Sequence, residues 1–337
     1  MTNRPFPPDQ LSASDPASRG VTRRSLLGAA AFAFCAGPAL GARRGPGLRI
    51  GHQKGGTAVL AKARGEVAKR LAALGIEPID WSIFSSGPPL LDALSAGAVD
   101  IGTTGDTPPI AAQAHGSDLV YVACQKVSGA STAIIVPKES PASTLADLRG
   151  KRLAFVRGSA AEMFVLAALE QAGLSFGDIQ PADLAPADAL AAFATGRIDA
   201  WAIWDPYLAA VELHQNARVV LSGFELGGSA AFYLASRALA QERPDALYAL
   251  LDALRDEAAW GSAHIEEAAA LVVQATGLEP AVELTTLSRS RPAFAVEPLN
   301  EEVIQRQQSL ADRLAAAGRI PQRIQIRDAV FSGWLPS

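Results

Sequence analysis

The sequence predicts an α/β fold with largely parallel sheets, built as two similar units in tandem. Three observations lead there. Short apolar segments alternate with helical stretches from residue 48 onward. The block Leu91 to Asp106 (LDALSAGAVDIGTTGD) is echoed by Leu190 to Asp205 (LAAFATGRIDAWAIWD), 99 residues later. No long apolar run follows the one near the N-terminus, so the remainder is expected to be soluble.

The first unit is read from its punctuation. Residues 48–51 form a short apolar strand, and 57–74 a helix stopped by Gly75. Residues 78–84 read as a second strand. Residues 88–96 read as a helix with Gly97 at its C-terminal cap, and 99–102 as a short buried strand. The second unit repeats the scheme. Arg152 to Ala160 (RLAFVRGSA) has the form of Leu48 to Thr57 (LRIGHQKGGT), a strand entering a Gly-containing turn, and a helix follows over 161–172. Gly97 corresponds to Gly196, Asp100 to Asp199 and Asp106 to Asp205.

Residues 133–137 and 231–235 read as strands bracketing the second unit, where the chain would cross between lobes. The expected division is lobe 1 over 48–132 and 232–330, and lobe 2 over 133–231. Residues 243–318 are mostly helical with an apolar face, which would pack back on the first unit. Residues 292–298 read as a loop or short strand.

The N-terminus has a different character. Thr22-Arg23-Arg24-Ser25-Leu26-Leu27 precedes an apolar run to Ala36 and small residues through Ala42. That run is about 10–15 residues, short of the ~20 that span a bilayer. Paired arginines, a short apolar core and small residues describe a twin-arginine type export signal over 1–41, and hence a periplasmic protein. Cleavage would leave 26 basic and 32 acidic side chains, net −6. It would also remove Cys35, whose predecessor Phe34 is too large for a lipoprotein signal. Cys124 then stands alone, so neither an internal disulfide nor a cysteine metal site is expected. It reads as a small buried apolar side chain.

Charged residues make up 19% of the chain with no basic surplus, which argues against nucleic acid or an anionic membrane surface as partner. Ligands of open α/β sheets bind beyond the carboxyl ends of the strands. The loops due there are Gln53-Lys54-Gly55-Gly56, Ser85-Ser86-Gly87, Thr103-Thr104-Gly105-Asp106, Gly158-Ser159-Ala160 and Trp204-Asp205-Pro206. They place Gly, Ser and Thr at helix N-termini, where free backbone N–H groups and a partial positive charge suit an oxyanion. Taken singly, each loop is equally a set of helix caps and turns. Five converging on one edge make a binding site.

Enzymatic patterns are missing. Lys54 precedes its glycines, so there is no Walker sequence, and neither a dinucleotide fingerprint nor a Gly-x-Ser-x-Gly elbow occurs. His52, His115, His214 and His264 are scattered without metal-ligand spacing. An enzyme on such a fold would have to use Lys54 or Cys124. A sensory module presenting ligand to a receptor is a further alternative.

Four segments resemble the aliphatic sulfonate-binding proteins of ABC importers: LRIGHQKGGT over 48–57, SSGPPLL over 85–91, TTGDTPP over 103–109 and WAIWDPY over 201–207. These belong to a wider group that binds nitrate, taurine and thiamine precursors. The resemblance, over roughly 48–330, implies the two-lobed periplasmic-binding-protein (Venus-flytrap) fold, type II, with two hinge crossings. It implies a monomeric carrier with no cofactor, a small organic anion such as an alkanesulfonate as ligand, and an ABC transporter permease as partner. Carried over by position, the implied ligand-binding residues are Gln53, Ser86, Gly87, Thr104, Gly105, Asp106, Thr132, Ser159, Ala160, Trp204, Asp205 and Arg289. Arg291 is a second candidate cation within RSRPAFAV (289–296). The chain departs from the family where His52 replaces a usual aromatic, where Glu162 replaces a polar His or Asn, and where Pro292 displaces an aromatic.

Overall fold

The computed structural model describes residues 46–215, 217–226, 229–290 and 295–336. The export signal over 1–41 and the call on Arg291 and Pro292 therefore lie outside the described residues.

Among the described residues, ten strands form two five-stranded sheets. The chain begins with β1 (Leu48–His52), β2 (Ile79–Ile83), β3 (Ile101–Gly105) and β4 (Leu119–Val127). It moves to a second sheet through β5 (Thr132–Pro137), β6 (Arg152–Phe155), β7 (Gln180–Asp183), β8 (Ala200–Trp204) and β9 (Ala217–Ser222). It returns to the first sheet with β10 (Ser229–Ser236). The orders are β2-β1-β3-β10-β4 and β7-β6-β8-β5-β9. In each sheet the first three strands are parallel, and the fourth is antiparallel to its neighbours. That fourth strand is the one that has just crossed from the other sheet. The internal repeat is thus a repeat of topology, with β1, β2 and β3 answered by β6, β7 and β8.

Helices fill the crossovers: α1 (Thr57–Arg64), α2 (Glu66–Ala72), α3 (Gly87–Ser95) and α4 (Thr107–Ala114) around the first sheet, and α5 (Ala160–Gln171), α6 (Pro186–Ala194) and α7 (Tyr207–His214) around the second. The sequence suggests one helix over 57–74, but two form. Gly65 adopts φ 73 and its N–H closes α1 on the Ala61 carbonyl before α2 begins. Only a residue without a Cβ takes that left-handed conformation without strain. Prolines at the first positions of α3 and α6 fit, because those N–H groups have no partner within the helix. β3 begins two residues later than its apolar pattern suggests, since the Asp100 carboxylate instead receives the Arg49 backbone N–H at 2.9 Å.

The C-terminal part adds α8 (Arg237–Glu242), α9 (Pro244–Ala263), α10 (Ile265–Thr276), α11 (Pro280–Ser290) and α12 (Glu301–Ala316). Leu247, Leu250, Leu251 and Leu254 of α9 pack into the core built on Leu48, Ile50 and Leu60. α12 differs: its Ala311 and Leu314 share a core with Leu90 and Tyr121 of the first unit and with Met163 and Leu166 of α5. The tail therefore touches both halves. Glu297 pairs as an isolated bridge with Cys124 in β4. The second sheet encloses its own aromatic centre, where Trp201 is 1% exposed and packs near Phe193. Truncating Trp201 would cost on the order of 3–5 kcal/mol.

Candidate ligand-binding cleft

A cavity of about 200 Å³ opens between the two sheets, which suits a small organic molecule. Its wall is built at the carboxyl ends of the strands. β1 delivers His52, Gln53, Gly55 and Gly56, then Thr57 and Ala58 at the start of α1. β3 delivers Thr103, Thr104 and Gly105, and Gly87 comes from the first turn of α3. From the second unit come Ser159, Ala160 and Ala161 at the start of α5, and Trp204 and Asp205 after β8. The first N–H groups of a helix have no partner within it, so α1, α3 and α5 all bring spare donors and positive partial charge to this one space.

The polar side chains are held by short local bonds. Ser159 Oγ donates to the Val156 carbonyl at 2.6 Å and accepts the Ala161 N–H at 3.2 Å, so it caps α5. Gln53 Nε2 donates to the Thr103 carbonyl at 3.3 Å. Thr104 Oγ1 donates to the Gly105 carbonyl at 2.9 Å. Gly105 lies where the halves meet, because a Cβ there would stand 2.9 Å from the Ala160 Cβ. His52 is 3% exposed, and burial lowers its pKa below the ordinary imidazole value. Asp205 also lies on the wall. Desolvation pushes its carboxyl up to about 6, while Arg289 and the Ala209 N–H act in the opposite direction.

The sequence named twelve residues. Gln53, Gly87, Thr104, Gly105, Thr132, Ser159, Ala160, Trp204 and Asp205 stand on the wall. Three stand elsewhere. Ser86 is buried at the N-cap position of α3, directly behind Gly87. Asp106 faces a smaller neighbouring pocket with Phe164 and Arg313; its side chain accepts from Thr107 Oγ1 at 3.0 Å, and its carboxyl is pushed up to about 6 by burial. Arg289 is turned onto Asp205 Oδ1 at 3.1 Å and onto Glu212. Burial works to lower the pKa of this partly buried guanidinium, but Glu212 and Asp205 outweigh it and hold the pKa above its ordinary value.

Glu162, which the sequence sets close to the cleft, is likewise engaged. It receives the Gly158 N–H at 2.6 Å and pairs with Arg319, whose guanidinium covers the Phe176 ring. Sequence reasoning missed Gln125, Ser128, Ser131, Thr286 and Ser290 on the wall. Gln125 belongs to the last residues of β4, the serines to the crossing between sheets, and the last two to α11. None sits in a glycine-rich turn, so no local signal marks them. Gln125 Oε1 accepts from Tyr233 at 3.2 Å and from Thr57 at 3.4 Å, which leaves its amide nitrogen to donate.

Residues 86–268 match the family described as NMT1/THI5 like. A protein of Escherichia coli (strain K12) named for binding aliphatic sulfonates is 40% identical over 291 residues, 86% of this chain and 89% of that protein. The chain belongs to the aliphatic sulfonate-binding protein family. Among solved structures, the alkanesulfonate-binding protein SsuA from Xanthomonas axonopodis pv. citri bound to MOPS is 39% identical, with TM-score 0.81, covering 87% of this chain and all of that one. The type II binding-protein fold of the family is the architecture described above. A DSZB mutant in complex with biphenyl-2-sulfinic acid matches at TM-score 0.65 and 15% identity, covering 86% and 97%, which shows the shared fold alone.

Proposed function

We propose that the chain is the exported, non-catalytic solute-binding component of an ABC importer, and that it carries an alkanesulfonate. One observation carries this reading. In a member of this family, helix N-termini and hydroxyl groups from both halves line a single small cavity. Such a wall offers an oxyanion many neutral donors beside Lys126, while Arg289 close by is already paired with carboxylates. Neutral donors bind a sulfonate without the long residence that a buried ion pair would give, which suits a carrier that must release its load.

The two sheets act as cores of two lobes, with lobe 1 over 48–132 and 232–330 and lobe 2 over 133–231. The crossings between β4 and β5 and between β9 and β10 serve as the hinge. Ligand contacts made from both lobes favour the closed form, and a membrane permease would read that form. No covalent step is needed. The candidate nucleophile Cys124 is off the cleft wall, and burial pushes its thiol up to about 11. Lys54 leans over the Tyr207 ring, 5.5 Å from its centroid. The chain works as a monomer, reaches the periplasm by the twin-arginine route, and needs no cofactor or nucleic acid.

Calorimetry with butane-1-sulfonate, taurine, nitrate and sulfate tests the reading. Saturable one-to-one binding of the alkanesulfonate, with no product formed, is expected. Binding of nitrate or sulfate in preference to both sulfonates would overturn it.

A further inference from the structure

Among the described residues, five buried side-chain polar atoms lack a hydrogen-bond partner, and three of them belong to residues of the cleft wall: His52 Nε2, Asp205 Oδ2 and Thr286 Oγ1. Buried polar atoms are nearly always paired, so three orphans around one cavity call for a partner that arrives with the ligand.

Their chemistry says which kind of partner. His52 Nδ1 lies 2.8 Å from the Gln53 carbonyl oxygen. A carbonyl only accepts, so Nδ1 carries the proton, and in the neutral ring Nε2 is an acceptor. Burial of the ring favours that neutral form. Asp205 Oδ1 is already shared between Arg289 at 3.1 Å and the Ala209 N–H at 3.0 Å, while Oδ2 has no donor. Thr286 lies one helical turn before Arg289, on the part of α11 that meets Asp205. The turn that follows His52 reaches the same neighbourhood, since a Cβ on Gly55 would lie 3.5 Å from the Asp205 carbonyl oxygen. The orphans are thus a carboxylate oxygen, an imidazole nitrogen and a hydroxyl. They can accept hydrogen bonds, and one carries negative charge. A sulfonate has only acceptor oxygens and cannot satisfy the carboxylate or the neutral imidazole. A purely alkyl tail cannot either.

We infer that the preferred ligand is a sulfonate whose tail ends in a protonated amine, with His52, Asp205 and Thr286 receiving its N–H groups while the helix N-termini hold the sulfonate. This rests on the reading of the cleft as a sulfonate site. It makes His52, which stands where an aromatic is usual in this family, a specificity-determining residue.

The test is calorimetry on the mature protein near pH 7 with two probes of equal tail size, 3-aminopropane-1-sulfonate and butane-1-sulfonate. The amino probe should bind at least about tenfold more tightly. His52→Phe should bring the two probes to within about threefold of each other. Equal binding in the parent, or preference for butane-1-sulfonate, would overturn the inference and leave the sulfonate reading standing. Retention of the preference in the folded His52→Phe protein would also overturn it. If neither probe binds, both proposals fail together.

Discussion

Arg49 holds Asp100 through three hydrogen bonds: its backbone N–H at 2.9 Å and Nε at 3.1 Å to Oδ2, and Nη2 at 2.7 Å to Oδ1. The Asp100 N–H returns a bond to the Arg49 carbonyl at 2.8 Å. Arg152 and Asp199 make the same clamp in the second unit, at 2.8, 2.9 and 2.8 Å, with the same return bond at 2.8 Å. Each clamp pins the strand that opens its unit to the segment entering the third parallel strand, and both those strands end at the cleft.

The two clamps should differ in strength. The Asp100 side chain is 7% exposed and that of Asp199 is 36% exposed. Asp100→Ala leaves a buried backbone donor and a guanidinium unanswered and should cost about 2–3 kcal/mol. Asp199→Ala should cost about 1 kcal/mol, because water can replace much of what is lost. Urea unfolding of the two variants provides the comparison.

Ser159 and Thr104 should separate stability from binding. Ser159→Ala removes the cap of α5 and should cost about 1 kcal/mol of stability as well as affinity. Thr104→Ala should weaken sulfonate binding by about 0.5–1.5 kcal/mol with a smaller effect on unfolding. Paired calorimetry and thermal melts would show whether the two effects split this way. Unchanged affinity in both would remove these turns from the site.

Gly105 lies close against the start of α5. A methyl group there would stand 2.9 Å from the Ala160 Cβ across the cleft. Gly105→Ala should lower affinity by roughly tenfold or more, because the added methyl group forces β3 and α5 apart at the cleft. Solution scattering with and without sulfonate should show a smaller ligand-induced compaction than in the parent.

Asp205 gives stability a pH dependence of known sign. Its carboxyl is pushed up to about 6 when folded, so the native state holds the proton more tightly than the unfolded chain does. The stabilisation from this is fully present below about pH 4 and is lost as pH rises through about 6. Asp106, also pushed up to about 6, acts in the same direction. Asp205→Asn should therefore gain stability relative to the parent on going from pH 4.5 to pH 7, as read from denaturation midpoints at the two values.

Much of this molecule is legible in its residues because the relevant rules are local. Strand periodicity, helix-capping glycines and the 99-residue echo depend on near neighbours, and they place β1, β3, β6 and β8 together with the turns that follow them. Even there, a propensity argument carried a helix through Gly65, where one left-handed residue ends it. The far wall of the cleft was not legible. Gln125, Ser131 and Thr286 lie in a strand end, a crossing and a tail helix whose local patterns look like any other, and only the packing of α11 and of the crossings between sheets brings them to the cavity. The same holds for Arg289. Its charge and position suit a sulfonate, but 77 and 84 residues back along the chain Glu212 and Asp205 hold it instead. Which charge a cation answers depends on distances across the folded molecule, and no pattern of neighbouring residues encodes those.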